Sequence, residues 1–99
     1  MVINKFRIVW TDQAKAELRR IYLYYKAKSE QGALSVRTDL LNGPKTIYFA
    51  EQYQLDEINP KYRRIVVRDY KLLYKVEGKL IYILDIISTR QSPSILENK

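Results

Sequence analysis

The chain has two main parts, which differ in the spacing of their hydrophobic residues. Between residues 11 and 49 apolar side chains recur every three or four positions, as on one face of an α-helix. From Tyr62 they alternate at every second position, which is typical of β-strands. Residues 3–10 alternate loosely and are rich in Ile, Phe, Val and Trp, so they predict a further strand before the first helix.

The helical part divides into two helices. The first should begin after Thr11, a favourable N-cap residue, and end near Lys28. The second should begin at Ser29 or the next residue and be interrupted at Pro44, because proline lacks an N–H and clashes with the preceding turn. Helical spacing continues to about Phe49, which predicts a kinked or restarted turn. The predicted apolar stripes are Ala14, Leu18, Ile21, Tyr22 and Tyr25 in the first helix and Ala33, Leu34, Val36, Leu40 and Leu41 in the second.

The alternating part predicts a three-strand meander over residues 62–68, 70–76 and 80–87, with reversals at Asp69 and at Glu77-Gly78. Polar residues 51–60 connect it to the helices. We therefore predict one α+β domain over residues 1–99, in which a two-helix hairpin packs on one face of an antiparallel sheet. The opposite face should display Arg64, Arg68, Lys71 and Lys75, with Arg90 close to its end.

The amino-acid composition excludes several kinds of functional site. The chain has no cysteine and no histidine, which removes disulfides, thiolate metal sites and the usual general base. We expect neither a metal nor another cofactor. The net charge of +7, from 18 Lys and Arg against 11 Asp and Glu, predicts a polyanion or an acidic protein as partner, although a solvated basic surface explains it too. No apolar run reaches membrane-spanning length and the N-terminus lacks signal-peptide character, so we predict a cytoplasmic protein.

The order of elements, together with the strings YRRIVVRDYKLLYKV at 62–76 and IYILDIISTRQSP at 81–93, resembles the RelE/ParE superfamily. These proteins are the toxins of type II toxin–antitoxin modules, including plasmid-stabilisation modules. The resemblance covers nearly the whole chain, from Trp10, Thr11, Ala14 and Leu18 at the first helix to Arg90-Gln91-Ser92-Pro93. It implies a cognate antitoxin, which would wrap an extended or helical segment around the toxin. That segment would neutralise the basic face with acidic side chains or block access to it by bulk.

The RelE-like branch implies an mRNA interferase, which cuts ribosome-bound mRNA without a metal through attack of the 2′-hydroxyl on the adjacent phosphate. By position, this resemblance makes Arg64, Lys71 and Arg90 the catalytic residues. Fixed cations can stabilise the phosphorane. The superfamily's C-terminal tyrosine falls near Leu96, which cannot replace it, and arginine stays protonated, so the general base is missing.

The ParE-like branch implies a non-enzymatic inhibitor of DNA gyrase, and the absence of histidine and of the C-terminal tyrosine fits that branch. Both branches stay open here. A non-toxic, basic nucleic-acid-binding domain is a weaker third alternative. In each case the residues expected to contact RNA or another target are Tyr62, Arg63, Arg68 and Lys75.

Three further expectations concern individual charges. Glu51, Asp56 and Glu57 are interpreted as acids of a solvated loop. Asp85 lies in an apolar strand, so it either pairs with Arg64 or Arg90 or reaches solvent. Arg63 alternates onto the core-facing side and could pair with a helix carboxylate such as Glu17.

Overall fold

A computed structural model describes residues 6–90 and confirms the predicted α+β class. The part of the predicted first strand before residue 6, Leu96 and the Gln91-Ser92-Pro93 string lie outside the described residues. The elements are β1 (Arg7–Trp10), α1 (Asp12–Lys26), α2 (Glu30–Asn42), a 3₁₀ turn (Gly43–Thr46), β2 (Arg63–Val67), β3 (Tyr70–Glu77) and β4 (Leu80–Ser88).

The first helix starts at its predicted cap, and the second starts where predicted. The Thr11 hydroxyl accepts a hydrogen bond from the Ala14 N–H at 3.3 Å, and the Ser29 hydroxyl accepts one from the Gly32 N–H at 3.0 Å. The second helix ends at Asn42, because Pro44 cannot continue its ladder, and the chain tightens into the 3₁₀ turn. That turn ends at Thr46, three residues earlier than the predicted continuation.

The four strands are arranged in the order β1-β4-β3-β2. The meander β2-β3-β4 is antiparallel as predicted, but β1 runs parallel to β4, with Arg7 opposite Leu80 and Trp10 opposite Ile83. The sheet is therefore mixed, and the expectation of a wholly antiparallel sheet is wrong for this pair. A parallel pair needs a long crossover, which α1, α2 and the first two meander strands supply here.

The helices cover one face of the sheet, and the core lies between the helices and the sheet. Residues that alternate toward this face, such as Ile65 and Leu72, are buried against the helices. The core consists of Ala14, Ile21, Val36, Leu40, Ile47, Ile65, Leu72, Tyr74, Ile81, Ile83 and Ile86. The opposite face, called the open face below, carries Arg64, Val66 and Lys71, because residues two apart in a strand point the same way. No helix within residues 6–90 is long and apolar enough to cross a membrane.

Candidate functional site

The segment before β2 lies along the outer edge of the sheet. Leu55 forms an isolated antiparallel bridge with Arg63, and the Arg64 N–H donates to the Gln54 carbonyl at 3.1 Å. The Asp56 N–H donates to the Tyr62 carbonyl at 2.8 Å, which closes the segment on itself. This path carries Asp56 onto the open face, where it is only 1% exposed. Asp56 is the one buried charged residue among residues 6–90.

Hydrogen-bond donors from two segments and a guanidinium from a third surround the Asp56 carboxylate. Oδ2 accepts from the backbone N–H groups of Ile58, at 3.1 Å, and Asn59, at 2.8 Å, forming a local turn. Oδ1 accepts from Lys71 Nζ at 2.7 Å, and Arg64 Nη1 lies 3.7 Å from the same oxygen. The guanidinium of Arg64 is also held by the Leu55 carbonyl, at 3.4 Å from Nη1. The carboxylate therefore ties the segment to β2 and β3 together.

Asp56 stays ionised despite its burial. Burial by itself raises the pKa of the carboxyl, but the Lys71 ammonium and the N–H groups of Asn59 and Ile58 outweigh that effect. The pKa of Asp56 consequently lies below its ordinary value. Its cationic partners are mostly covered as well, since the Arg64 side chain is 18% exposed and the Lys71 side chain 13%. The cluster thus holds two cations and one anion in a poorly hydrated place.

A cavity of about 330 Å³ opens beside this cluster. Ile58, Val66 and Ile87 form its apolar wall, while Glu57, Ser88 and Thr89 add polar groups. A small ligand or a partner's side chain that enters this cavity would contact Arg64 and Lys71. The Asp56 carboxylate, however, already lies next to both cations.

Arg90 lies at a different place. Its Nη2 is 2.7 Å from Asp69 Oδ2 in the turn between β2 and β3, and its side chain is 77% exposed. It lines a second cavity of about 300 Å³, where β3 and β4 meet α1, together with Arg20, Tyr24 and Tyr70. The structure therefore brings together two of the three predicted catalytic residues, Arg64 and Lys71. Their catalytic role stays a prediction.

The four side chains predicted to contact RNA or another target do not form one group, although Tyr62 lies near Lys75. Arg68 has a positive φ of 55° in the β2–β3 turn and binds Asp39 at 2.7 Å. Lys75 pairs with Glu77 at 3.0 Å, with its Nζ 5.5 Å from the centre of the Tyr82 ring. Tyr62 is half-buried beside the Asp56 segment. The roles of these residues are untested predictions.

Two suggested ion pairs do not form among residues 6–90: Arg63 with Glu17, and Asp85 with Arg64 or Arg90. Arg63 donates from Nη1 to the Tyr53 carbonyl at 2.7 Å, while Glu17 pairs with Arg20. Asp85 accepts from Gln13 Nε2 and from the Ile86 N–H, rather than pairing with Arg64 or Arg90. In the register of the sheet it lies opposite Leu73, with Arg64 one strand further away.

Asp56 is the residue that sequence reasoning missed, because it was interpreted as a solvated acid. The only signal for it was local: an aspartate followed closely by Asn59-Pro60, which favours a side-chain-capped turn. Its burial depends on how the segment crosses the edge of the sheet, and spacing does not encode that path. Among the residues described, no three His, Cys, Asp or Glu side chains are grouped so as to hold a metal ion.

Comparison with known proteins gives a consistent result. Residues 8–93 match a family described as "ParE toxin of type II toxin-antitoxin system, parDE". Among solved structures, the chain is similar to one described as "Chromosomal ParDE TA system from P. aeruginosa", with 23% identity and a TM-score of 0.73. That alignment covers 87% of this chain and 98% of the other, and at this identity it concerns the fold. No curated protein sequence matches the chain.

Proposed function

Since this chain belongs to the ParE toxin family of type II toxin–antitoxin systems, we propose that it inhibits bacterial growth by binding DNA gyrase and not by cleaving mRNA. The family implies an antitoxin as partner, and a cytoplasmic location is part of the proposal. The proposal rests on one observation, which is that the predicted catalytic cations are already paired with carboxylates of this chain. Lys71 is bonded to Asp56 with Arg64 beside it, and Arg90 is bonded to Asp69 in another cavity.

A metal-free ribonuclease needs cations that converge on one phosphorane and a group that accepts the 2′-hydroxyl proton. Here a carboxylate already neutralises part of the charge of Arg64 and Lys71. The same carboxylate is a weak general base, because its pKa is lowered and it therefore holds a proton only weakly. Arg90 stands apart from this cluster. The geometry therefore favours recognition of a target over transfer of a phosphoryl group.

The surface also suits a protein target. Several large apolar side chains are exposed on the β2 side of the molecule, and others are exposed on the helices. Exposed apolar and aromatic side chains beside arginines are common at protein–protein interfaces. The exposed residues are Leu23, Tyr24, Leu34, Tyr48, Phe49, Leu55, Ile58 and Val66.

Two assays on the purified toxin test the proposal. One measures supercoiling of relaxed plasmid by gyrase, and the other measures cleavage of a reporter mRNA on translating ribosomes by primer extension. We expect inhibited supercoiling and intact mRNA. Cut codons together with unaffected gyrase would overturn the proposal and favour cleavage by Arg64, Lys71 and Arg90.

A matched pair of variants sharpens the second assay. Arg90→Ala and Arg20→Ala remove arginines that line the same cavity, but only Arg90 is a predicted catalytic residue. If mRNA is cut by the wild type and only Arg90→Ala abolishes cutting, the ribonuclease alternative is correct.

A further inference from the structure

The surroundings of Asp56 have the composition of an anion-binding site. An ammonium, a guanidinium and two backbone N–H groups surround one carboxylate within residues 56–71. We propose that Arg64, Lys71 and the backbone of Ile58 and Asn59 form an oxyanion-binding site, and that the chain's own Asp56 occupies it. The ligand class is a single carboxylate or phosphate group. This inference does not depend on gyrase being the target.

The sheet, and not Asp56, places the two cations. In the β2–β3 register Arg64 lies opposite Leu73 and Lys71 lies opposite Val66, so both cations point to the open face as diagonal neighbours. Two like charges so close, and so poorly exposed to water, repel each other unless an anion lies between them. Removing the Asp56 carboxylate leaves Arg64 and Lys71 on their strands without a counter-ion, so another anion should bind there.

A substitute has room to enter. The cavity of about 330 Å³ reaches Asp56, Arg64 and Lys71 from outside, and two residues of its apolar wall, Ile58 and Val66, are exposed. An external oxyanion can therefore approach the same donors along the cavity. In the wild type it must compete with a carboxylate that is covalently part of the chain and already held by four partners.

The consequence is a masked site. Asp56 lowers the affinity of the open face for phosphates and acidic side chains, although the sequence alone presents that face as strongly basic. A partner that pulls the segment around Asp56 away from the sheet would expose the two cations, and one that leaves it in place would not.

Chemical rescue of Asp56→Ala tests the proposal. The variant should melt at least about 10 °C below the wild type, because two mostly covered cations lose their counter-ion. Sodium phosphate or sodium acetate, added up to about 50 mM against sodium chloride of equal ionic strength, should then raise its melting temperature in a saturable way by about 5 °C or more. If the variant is unfolded without added anion, the same anions should restore its circular dichroism spectrum.

Two controls separate a site from a general salt effect. Glu57→Ala removes an equal charge from a neighbouring residue that lines the same cavity, and should respond to phosphate only as the wild type does. Adding Lys71→Met to Asp56→Ala should abolish the rescue. Rescue by either anion that depends on Lys71 supports the proposal. Equal shifts in Asp56→Ala, Glu57→Ala and wild type, or rescue that survives Lys71→Met, would overturn it.

Discussion

Two ion pairs of this toxin have the same length and different surroundings. Lys71 Nζ lies 2.7 Å from Asp56, and Arg90 Nη2 lies 2.7 Å from Asp69. The side chains of the first pair are 13% and 0% exposed, and those of the second are 77% and 49% exposed. Water screens the second pair, and both of its side chains lose rotamer freedom to form it. Burial, and not distance, therefore decides which pair the fold depends on.

The two pairs also differ in what they join. Asp56 is connected to β2, β3 and its own turn, so it fixes a whole segment against the sheet. Asp69 lies in the β2–β3 turn, and its carbonyl already accepts from the Thr89 N–H at 2.8 Å and from the Thr89 hydroxyl at 3.0 Å. The Arg90 pair therefore adds to a contact that the backbone makes anyway. The loss of Lys71 and the loss of Arg90 should have very different effects.

The largest effect is expected for Lys71→Met. The variant leaves the buried Asp56 carboxylate without its ammonium and should lower the free energy of unfolding by about 3–5 kcal/mol. Urea denaturation followed by circular dichroism measures the loss. The matched control is Lys75→Met, on the same strand, whose pair with Glu77 is exposed; it should lower the denaturation midpoint far less. Equal losses in the two variants would contradict the distinction between buried and exposed pairs.

The region around Arg90 should be sensitive to alkali. Burial, and then the hydrogen bond to Tyr25, raises the pKa of Tyr70 to about 12. A raised tyrosine pKa stabilises the folded state below pH 10, and that contribution is lost as the pH rises from about 10 to about 12. The loss should reach about 2–3 kcal/mol, since each pKa unit is worth about 1.4 kcal/mol.

Denaturant midpoints measured between pH 8 and 12 check this. The variant Tyr70→Phe lacks the titrating hydroxyl and should lose less stability over that range. Burial likewise raises the pKa of Tyr74 to about 12, so some loss should persist in the variant. If the stability of Tyr70→Phe falls with rising pH as much as that of the wild type, ionisation of Tyr70 does not cause the alkaline loss.

The region around Asp56 should be sensitive to acid instead. Because the folded pKa of Asp56 is lowered, its contribution to stability is complete above the unfolded value near 4 and is lost as the pH falls through the folded value. The loss should be smaller than that of Lys71→Met, since protonation neutralises the buried carboxylate, whereas Lys71→Met leaves it charged without its ammonium. Unfolding midpoints between pH 2 and 6 should fall less steeply in Asp56→Asn than in the wild type. Parallel curves would mean that other carboxylates dominate acid unfolding.

The smallest effect is expected for Arg90→Ala, which should change the free energy of unfolding by less than about 1 kcal/mol. Asp69→Asn should behave in the same way, and the double variant should add little to either single variant. Thermal melting in low salt and in about 0.5 M sodium chloride separates the electrostatic part, since exposed pairs are screened. If Arg90→Ala lowers the free energy of unfolding as much as Lys71→Met does, Arg90 has a structural role. Its predicted catalytic role would then be weakened.

The sequence predicted those features that depend on local spacing. The change from a helical to a two-residue period located both helices and the meander, and Thr11 and Ser29 located their starts. It could not predict that β1 runs parallel to β4, because strand direction depends on how the chain crosses over the helices. It predicted that Arg64 and Lys71 share a face, since alternation decides this. It could not predict the position of Asp56 between them, because the path of an irregular segment is determined by tertiary contacts.

The central position of β4 has a consequence for the order in which the protein can fold. Residues 80–88 lie between β1 and β3, so residues 7–10 have no strand to pair with until a segment some seventy residues later has been synthesised. Contacts of such large sequence separation close late and slow folding. A ribosome-bound chain that lacks β4 can form its helices but cannot complete the sheet. The chain is therefore expected to remain incompletely folded through most of its own synthesis.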